Sequence, residues 1–397
     1  MKNVVVIARL RMRWLSPVIL ALSVSTVVPS PPPCSLNGVL NADGTCACLG
    51  GWGGPACGSL RLLPAAPLAA ASQTYFHPSN GGGPYVDNSW GVSVLPGDDG
   101  ATWHAFMTEL AGNCSLSAYS VASRVLHLTA PSALGPWAFS DVALPAFAHN
   151  PQAVRDVDGA WLLFHIGAAQ PPSCHPACAG GRVNASGCVN YGHGTSVARA
   201  HSPFGPWERV PFILPNNETN PSAVVRAAGG GILLTARRWE GGVPVYTAPS
   251  WRGPYALQPP APVVYVGAGA PYAFDEDPFL FENEGGWHML THREPATEAG
   301  NCSATRPATE CRCMGGHLFA EDPVKGPWFA DLQPLYNCTL EVAGASGAPP
   351  LRLWARQRPT LVARANETGC PVLYSGASTD PVSQYYSSFT MQQNIAC

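Results

Sequence analysis

The stretch from residue 149 to residue 207 carries the pattern that decides the fold. It reads HNPQAVRDVDGAWLLFHIG at residues 149–167, TSVARAHS at 195–202 and SPFGPW at 202–207. Pro151 stands at the start of an apolar strand, and Gly159 supplies the turn into a second one. A third strand follows an insertion, and the Gly-Pro-Trp turn leads into an outer strand. The stretch therefore predicts a unit of four antiparallel strands.

The same order of strands and turns recurs along the chain. A second copy comprises TNPSAVV (219–225), GGILLTARRW (230–239), PVYTAPS (244–250) and WRGPY (251–255). A third comprises FDEDPFLF (274–281), GGWHMLTHR (285–293), GGHLFAEDP (315–323) and VKGPWF (324–329). Weaker copies occupy residues 88–140 and 356–395. Repeats of this kind predict an all-β fold, a five-bladed β-propeller over residues 75–397. A β-sandwich is the alternative, but sandwiches do not reuse Gly-Pro-Trp at a fixed phase.

Composition restricts the classes of partner. Charged residues make up 12% of the 397 residues and the net charge is −3, which argues against nucleic acid as a partner. The histidine and cysteines around residues 174–193 resemble a metal cluster, but disulfides are the favoured interpretation in an exported protein. We therefore expect neither a metal nor a cofactor.

The first 30 residues resemble an export signal. Lys2, Arg9, Arg11 and Arg13 form a basic leader, and residues 14–28 are largely apolar but short for a bilayer span. We expect a cleaved signal peptide and a secreted, extracellular protein. The alternative is an uncleaved signal anchor at the cell surface, which is the one case in which a membrane would be a partner.

Cysteines and glycosylation sequons agree with export. The chain has 14 cysteines, an even number, which predicts disulfide bonds. Six Asn-x-Ser/Thr sequons predict a glycoprotein. They begin at Asn113, Asn184, Asn217, Asn301, Asn337 and Asn366.

Residues 31–58 form a separate small module. Its cysteine segment, CSLNGVLNADGTCACLGGWGGPAC at 34–57, resembles the EGF-like family, although it has four cysteines where that family usually has six. The resemblance implies that Cys34 pairs with Cys46 and Cys48 with Cys57. A four-cysteine zinc site is the rival interpretation. Residues 59–74 are expected to be a linker, after which part of 75–85 is expected to close the last blade.

Functional residues are expected where the first strands of the blades converge, at the mouth of the central channel. Acids, amides, imidazoles, guanidinium groups and an aromatic ring together favour sugar recognition. The candidate carboxylates are Asp87, Glu276 and Asp277. The candidate substrate-binding residues are Trp90, His149, Asn150, Asn220, Arg237, His292, Arg356 and Arg358.

These motifs, with DNSWG (87–91), HNP (149–151), TNP (219–221), EDPF (276–279) and RQRP (356–359), give the chain a resemblance to a known superfamily. It resembles the five-bladed propeller glycosidases of the arabinanase, levansucrase and invertase superfamily, particularly family-43-like proteins. The resemblance implies inverting hydrolysis of a glycan, with Asp87 as base, Glu276 as acid and Asp277 tuning Glu276.

Two positions depart from the superfamily pattern. Asn150 replaces the acid expected before the blade-two proline, and Thr219 stands where blade three is expected to carry a glutamate. An amide cannot exchange the proton that hydrolysis needs. Three functions therefore stay open at the level of sequence: a glycosidase-like enzyme, a carbohydrate-binding propeller without activity, and an adhesion protein.

Overall fold

The computed structural model describes most of the chain beyond residue 28. The described residues are 29–65, 88–112, 114–170, 177–179, 182–184, 193–214, 218–227, 229–238, 244–261, 263–266, 272–283, 285–295, 314–343, 349–362, 370–378 and 388–397, with backbone alone at 177–179, 182–184, 272–275 and 294–295. Among these residues no helix is long and apolar enough to cross a membrane.

Five antiparallel sheets follow one another along the chain, and they confirm the predicted propeller. Blade one comprises Asn88–Pro96, Trp103–Leu110, Ser123–Ala130 and Ala138–Leu144. Blade two comprises His149–Arg155, Trp161–Ile166, Thr195–Ala200 and Glu208–Val210. Blade three comprises Thr219–Val225, Ile232–Arg237, Val245–Ala248 and Ala256–Leu257. Blade four comprises Tyr272–Asn283, Gly286–Pro295, Met314–Ala320 and Trp328–Asp331. Blade five comprises Ala355–Val362, Val372–Ser378 and Ser388–Asn394.

Short elements complete the described structure. Blade four gains a fifth strand, Val263–Val266, which pairs in parallel with Trp328–Asp331 and was not predicted from the sequence. The remaining two-stranded sheets are Gly38–Leu40 with Cys46–Cys48, Trp52–Gly53 with Ser59–Leu60, Ala177–Ala179 with Arg182–Asn184, and Thr339–Leu340 with Leu351–Arg352. Single turns of helix lie at Leu116–Ala118 and Tyr119–Ala122, and Pro33–Leu36 forms a turn with left-handed backbone at Cys34, Ser35 and Leu36.

The first strands of the five blades form a closed ring. Each first strand packs against that of the next blade, and the strand Ala355–Val362 of blade five packs against Asn88–Pro96 of blade one. Apolar side chains fill the spaces between neighbouring sheets, for example Val92 and Met107 of blade one against Val372 and Tyr374 of blade five. Because each sheet buries both faces against its neighbours, the ring brings the starts of the first strands together around one axis.

The N-terminal module is stapled by two disulfides and packs on the propeller. Cys34 is bonded to Cys46 and Cys48 to Cys57, as the resemblance implied. Trp52 is buried in a cluster with Cys34 and Cys57, where it contacts blade four. Its assignment as an EGF-like domain stays a prediction.

Residues 61–63, predicted to belong to a linker, pair with the end of blade five. Leu62 forms a bridge with Ile395, and the amide of Leu63 donates to the carbonyl of Asn394 at 2.8 Å. The residues expected to close this blade, 75–85, lie outside the described part of the chain. A third described disulfide, between Cys370 and Cys397, ties the end of blade five to its second strand.

Candidate active site

A bulge interrupts every first strand at the same phase. The pairing register with the second strand shifts at this point in all five blades. The bulged residue has a left-handed backbone in each case, with φ of 42° at Gly91, 50° at Asn150, 54° at Asn220, 55° at Asp277 and 52° at Arg358. Left-handed non-glycine residues cost free energy, and bulges at equivalent positions re-aim side chains. The channel mouth is therefore built from these five positions.

The bulged residues meet one another across the blades. We call the set Asn150, Asn220, Glu276, Asp277 and Arg358 the channel cluster. Asn150 Nδ2 donates to Asn220 Oδ1 at 3.1 Å, and Asn220 Nδ2 donates to Glu276 Oε1 at 3.1 Å. This chain of amides links blades two, three and four. It leaves Glu276 as an acceptor at its end.

Glu276 is the carboxylate of the mouth that water can reach. Its side chain is 21% exposed, and Oε1 lies 3.2 Å from Arg237 Nη1. Glu276 occupies the residue before the bulge, where the other blades carry Trp90, His149, Thr219 and Gln357. Among the described side chains at these positions and at the bulges themselves, it is the one solvent-accessible carboxylate. Arg237 gives this carboxylate a positively charged neighbour, and Asn220 gives it a hydrogen-bond donor.

Asp277 has a different environment from its neighbour. It is 3% exposed, and Oδ2 accepts a hydrogen bond from the backbone amide of Arg358 at 3.2 Å, while Oδ1 lies 3.8 Å from Arg358 Nη1. Burial raises the pKa of Asp277, and the positive charges of Arg358 and Arg237 oppose that rise. Burial likewise lowers the pKa of Arg358, against the pull of Asp277. The two residues form a buried pair that holds the ring together.

An aromatic and imidazole wall stands beside the Glu276–Arg237 pair. The Tyr119 ring centroid is 5.0 Å from that of His149 and 5.7 Å from that of His193, and the Tyr119 hydroxyl is 3.4 Å from His193 Nδ1. Burial raises the pKa of Tyr119. The positive charge of Arg237 lowers that pKa, and the negative charge of Glu276 raises it. Burial lowers the pKa of His149 to about 3, so its imidazole is neutral. Its Nδ1 shares one hydrogen bond with Ser123 Oγ at 2.8 Å, in which the tautomer decides the donor.

The structure brings together some of the predicted site residues. Asn150, Asn220, Arg237, Glu276, Asp277 and Arg358 meet at the mouth, with His149 next to them. His292 is buried behind it, with Nε2 3.4 Å from Gln357 Nε2. Asp87 lies outside the described residues, as do the sequons at Asn113, Asn217, Asn301 and Asn366 and the side chain of Asn184. The role of Asp87 as base therefore stays a prediction.

Two predicted substrate-binding residues are buried against neighbouring side chains. Trp90 is 2% exposed, and its indole occupies the space that a side chain at Gly376 would need, so the ring packs on blade five. Arg356 is fully buried, and its guanidinium lies 4.6 Å above the ring of Tyr336. The bulge at Arg358 breaks the two-residue alternation of the strand, so Arg356 and Arg358 do not share a face.

Sequence reasoning missed Tyr119 and His193. Both belong to insertions between second and third strands, which lie at the same end of the blades as the starts of the first strands. An aromatic residue in such an insertion is a signal that could have found Tyr119. Sequence reasoning also missed Glu218, which is 1% exposed and paired with Arg238 at 2.9 Å behind the mouth.

Comparisons with known proteins extend to the fold alone. No family model matches the chain, and no curated protein matches its sequence. An exo-beta-1,3-galactanase from Phanerochaete chrysosporium bound to beta-1,3-galactotriose has a TM-score of 0.52 at 13% identity, over 84% of this chain and 64% of that one. A fructofuranosidase from Schwanniomyces occidentalis bound to fructosylnystose has a TM-score of 0.51 at 10% identity, over 81% of this chain and 58% of that one. A thermostable family-43 glycoside hydrolase has a TM-score of 0.49 at 14% identity, over 81% of this chain and 92% of that one.

The likenesses to the galactanase and the fructofuranosidase show a shared fold and nothing further. At such identities they carry no residue roles. The chain spans less than two thirds of the length of the galactanase and the fructofuranosidase chains.

Proposed function

We propose that this protein is an extracellular, glycosidase-like enzyme that takes a glycan at the channel mouth and hydrolyses it with Glu276 as general acid. The observation that carries the proposal is the placement of Glu276. It is a partly exposed carboxylate at the mouth of a closed propeller, held by Asn220 and Arg237 of the preceding blade. The fold likeness to structures of glycan-bound hydrolases supports the same class of ligand.

The chemistry divides among the mouth residues as follows. Inverting hydrolysis needs an acid that protonates the leaving oxygen and a base that activates water, about 6.5–9.5 Å apart. Glu276 must carry a proton for the acid role, and Arg237 and Asn220 hold its side chain in place at the mouth. Asp277 is proposed to tune the electric field at Glu276. It is buried beside Arg358 and does not contact water. Asp87 is proposed as the base, and Tyr119 as the surface on which a sugar ring packs.

The second candidate is a glycan-binding protein without hydrolytic activity. Asn150 and Asn220 favour this candidate. Amides occupy the two bulges at which a second carboxylate could have faced Glu276. Amides orient hydroxyls by hydrogen bonds but do not exchange their protons at neutral pH. Extracellular location is proposed for both candidates from the leader, the disulfides and the sequons.

The test measures binding and product release on the same preparation. The purified chain is incubated with a panel of glycans of the β-galactan, arabinan and fructan classes, and both the release of reducing ends and the binding affinity are recorded. We expect release of sugar, and a fall of at least about 100-fold in rate for Glu276→Gln with affinity nearly unchanged. Binding without release from every glycan selects the second candidate. Equal rates for the parent and Glu276→Gln would exclude the acid role.

A further inference from the structure

A cavity lies in the seam between the N-terminal segment, the end of blade four and blade five. Its volume is about 320 Å³, large enough for one sugar-sized molecule. We call it the seam pocket. It is lined by Ser59, Leu60, Leu62, Leu63, Pro64, Pro334, Leu335, Tyr336, Asn337, Thr339, Leu340, Glu341, Arg356 and Gln393. None of the channel cluster lines it, so it is a separate cavity.

A fully buried guanidinium is the positively charged group of the seam pocket. Arg356 Nε donates to Ser375 Oγ at 3.3 Å, and Nη1 donates to the carbonyl of Asn337 at 3.5 Å. The Tyr336 ring covers the guanidinium on one side. Nη2 is buried and has no hydrogen-bond partner within the described structure. The described part of the chain also places no carboxylate in an ion pair with Arg356. A buried guanidinium N–H that is left unpaired costs more free energy than a neutral one.

Two neutral polar atoms share this condition. The hydroxyl of Tyr336 and Oε1 of Gln393 are buried and have no hydrogen-bond partner among the described residues. Both residues line the seam pocket, and Gln393 is fixed because its Nε2 donates to the carbonyl of Leu63 at 2.6 Å. A cationic donor, a hydroxyl and an amide acceptor are thus present on the walls of one cavity.

We propose that the seam pocket binds a sugar acid, a monosaccharide unit that carries a carboxylate, as in a uronic acid. The carboxylate would accept from Arg356 Nη2, and a ring hydroxyl would donate to Gln393 Oε1 while another contacts the Tyr336 hydroxyl. Charge-assisted bonds between guanidinium and carboxylate are the strongest of these contacts. Glu341 also lines the pocket, so a monoanion fits its charge better than a doubly charged phosphate. This site does not depend on the activity proposed for the channel.

The test uses titration calorimetry of the purified chain with matched probes. The probes are galacturonate, its uncharged methyl ester and galactose, with sulfate as an inorganic anion. We expect galacturonate to bind at least about tenfold more tightly than its methyl ester or galactose, because only the acid offers a charged acceptor to Arg356. Equal affinity for the acid and its ester overturns the proposal, and so does binding of sulfate as tightly as galacturonate.

Variants locate the bound sugar acid. Arg356→Met should abolish the preference for the acid over its ester. Tyr336→Phe removes one unpartnered hydroxyl and keeps the ring over Arg356, so the fold is retained and the affinity should fall by about threefold to tenfold. Glu276→Gln, at the channel mouth, should leave galacturonate affinity unchanged. If Glu276→Gln weakens binding, or if Tyr336→Phe and Arg356→Met do not, the sugar acid does not bind in the seam pocket.

Discussion

Arg358 Nη2 donates to the backbone carbonyl of Asn150 at 3.1 Å, across 208 positions of the chain. The same nitrogen donates to the carbonyl of Pro221 at 3.0 Å, and the Arg358 amide donates to Asp277. One side chain of blade five therefore ties the bulges of blades two, three and four. This network accounts for the left-handed backbone at Arg358, because its hydrogen bonds offset the cost of that conformation.

Loss of the Arg358 guanidinium should destabilise the ring. Arg358→Met leaves Asp277 buried without its cation, and the free energy of unfolding should fall by about 3–5 kcal/mol. The double variant Arg358→Met/Asp277→Asn should recover part of that loss, since no buried charge remains. Arg252→Met is the matched control, because Arg252 pairs with Glu208 on the surface with both side chains at least half exposed.

Denaturant titrations of the three variants and the parent check this prediction. The control should change the free energy of unfolding by at most about 1 kcal/mol. If Arg358→Met costs no more than Arg252→Met, Arg358 does not hold the blades together.

Asn220→Asp should destabilise the protein in a pH-dependent manner. The substitution places a second carboxylate about 3 Å from Glu276 and removes the donor that Glu276 now accepts from. Repulsion between the carboxylates raises the pKa of one of them in the folded state above its unfolded value. The cost, about 1–3 kcal/mol at pH 7, should therefore shrink as the pH falls and one proton is taken up.

The comparison for Asn220→Asp is an exposed asparagine treated in the same way. Asn41→Asp lies on the surface of the N-terminal module, where Asn41 contacts Thr45. It should show a small cost with no such recovery at low pH. A pH-independent cost for Asn220→Asp would mean that the two carboxylates do not interact.

The propeller could be predicted from the sequence because its signals are local and repeat. Alternating apolar residues, the Asn-Pro or Asp-Pro steps and the Gly-Pro turns each specify one piece of a blade, and their repetition gives the phase. The parallel strand Val263–Val266 was missed because its partner, Trp328–Asp331, lies more than sixty residues later. Such a pairing has no local signature.

The site could be predicted only in part, since bulges change where side chains point. Arg356 and Arg358 are two apart, which predicts a common face on a regular strand. The register shift between Gln357 and Thr360 separates them instead. In blade one the bulged residue is Gly91, which no proline follows, so nothing in the sequence marked it. Asp87, the candidate base of blade one, lies outside the described residues, and its role stays a prediction.

Buried imidazoles should make stability depend on pH. Burial lowers the pKa of His165 to about 4, and His165 is 1% exposed. Since the unfolded pKa is near 6.5, the unfolded state binds a proton below that pH while the folded state does not. Stability is therefore fully present above pH 6.5 and falls between pH 6.5 and 4, by about 1.4 kcal/mol per pH unit for this residue.

Unfolding free energies measured from pH 7 to pH 4.5 check this sign. His165→Gln should reduce the slope of unfolding free energy against pH by about 1.4 kcal/mol per pH unit, the contribution of one proton. The control is His201→Gln, at an exposed turn of blade two, which should keep the parent's slope. A parent that becomes more stable as the pH falls below 6.5 would contradict the prediction.

Trp52 should hold the N-terminal module on blade four. Its ring centroid lies 4.8 Å from that of His317 and 5.9 Å from that of His288, and the residue is 6% exposed. Trp52→Ala should lower the free energy of unfolding by about 3–5 kcal/mol or release the module while both of its disulfides persist.

Limited proteolysis under non-reducing conditions distinguishes a released module from a docked one. Trp52→Ala should be cleaved near residues 58–65 faster than the parent. Leu40→Ala, at a position of the same module that is 52% exposed, should be cleaved at the parent's rate. Equal cleavage of all three proteins would show that the Trp52 contact does not secure the module.

Two adjacent arginines at the end of the second strand of blade three have different partners, one at the mouth and one buried behind it. Arg237 reaches Glu276 at the mouth, while Arg238 pairs with the buried Glu218, which also accepts from the Tyr246 hydroxyl. Arg237→Met should lower kcat/KM for the glycan substrate at least about tenfold, because Glu276 loses the partner that orients it. If the parent binds glycans without hydrolysis, the same fall is expected in affinity.

Arg238→Met should leave both quantities within about twofold and lower the free energy of unfolding by about 1–3 kcal/mol, since Glu218 stays buried without its cation. Kinetics, affinity and denaturant titrations of both variants give the answer. If Arg237→Met loses stability but keeps function, or if Arg238→Met loses function but keeps stability, Glu276 does not act at the mouth through its contact with Arg237.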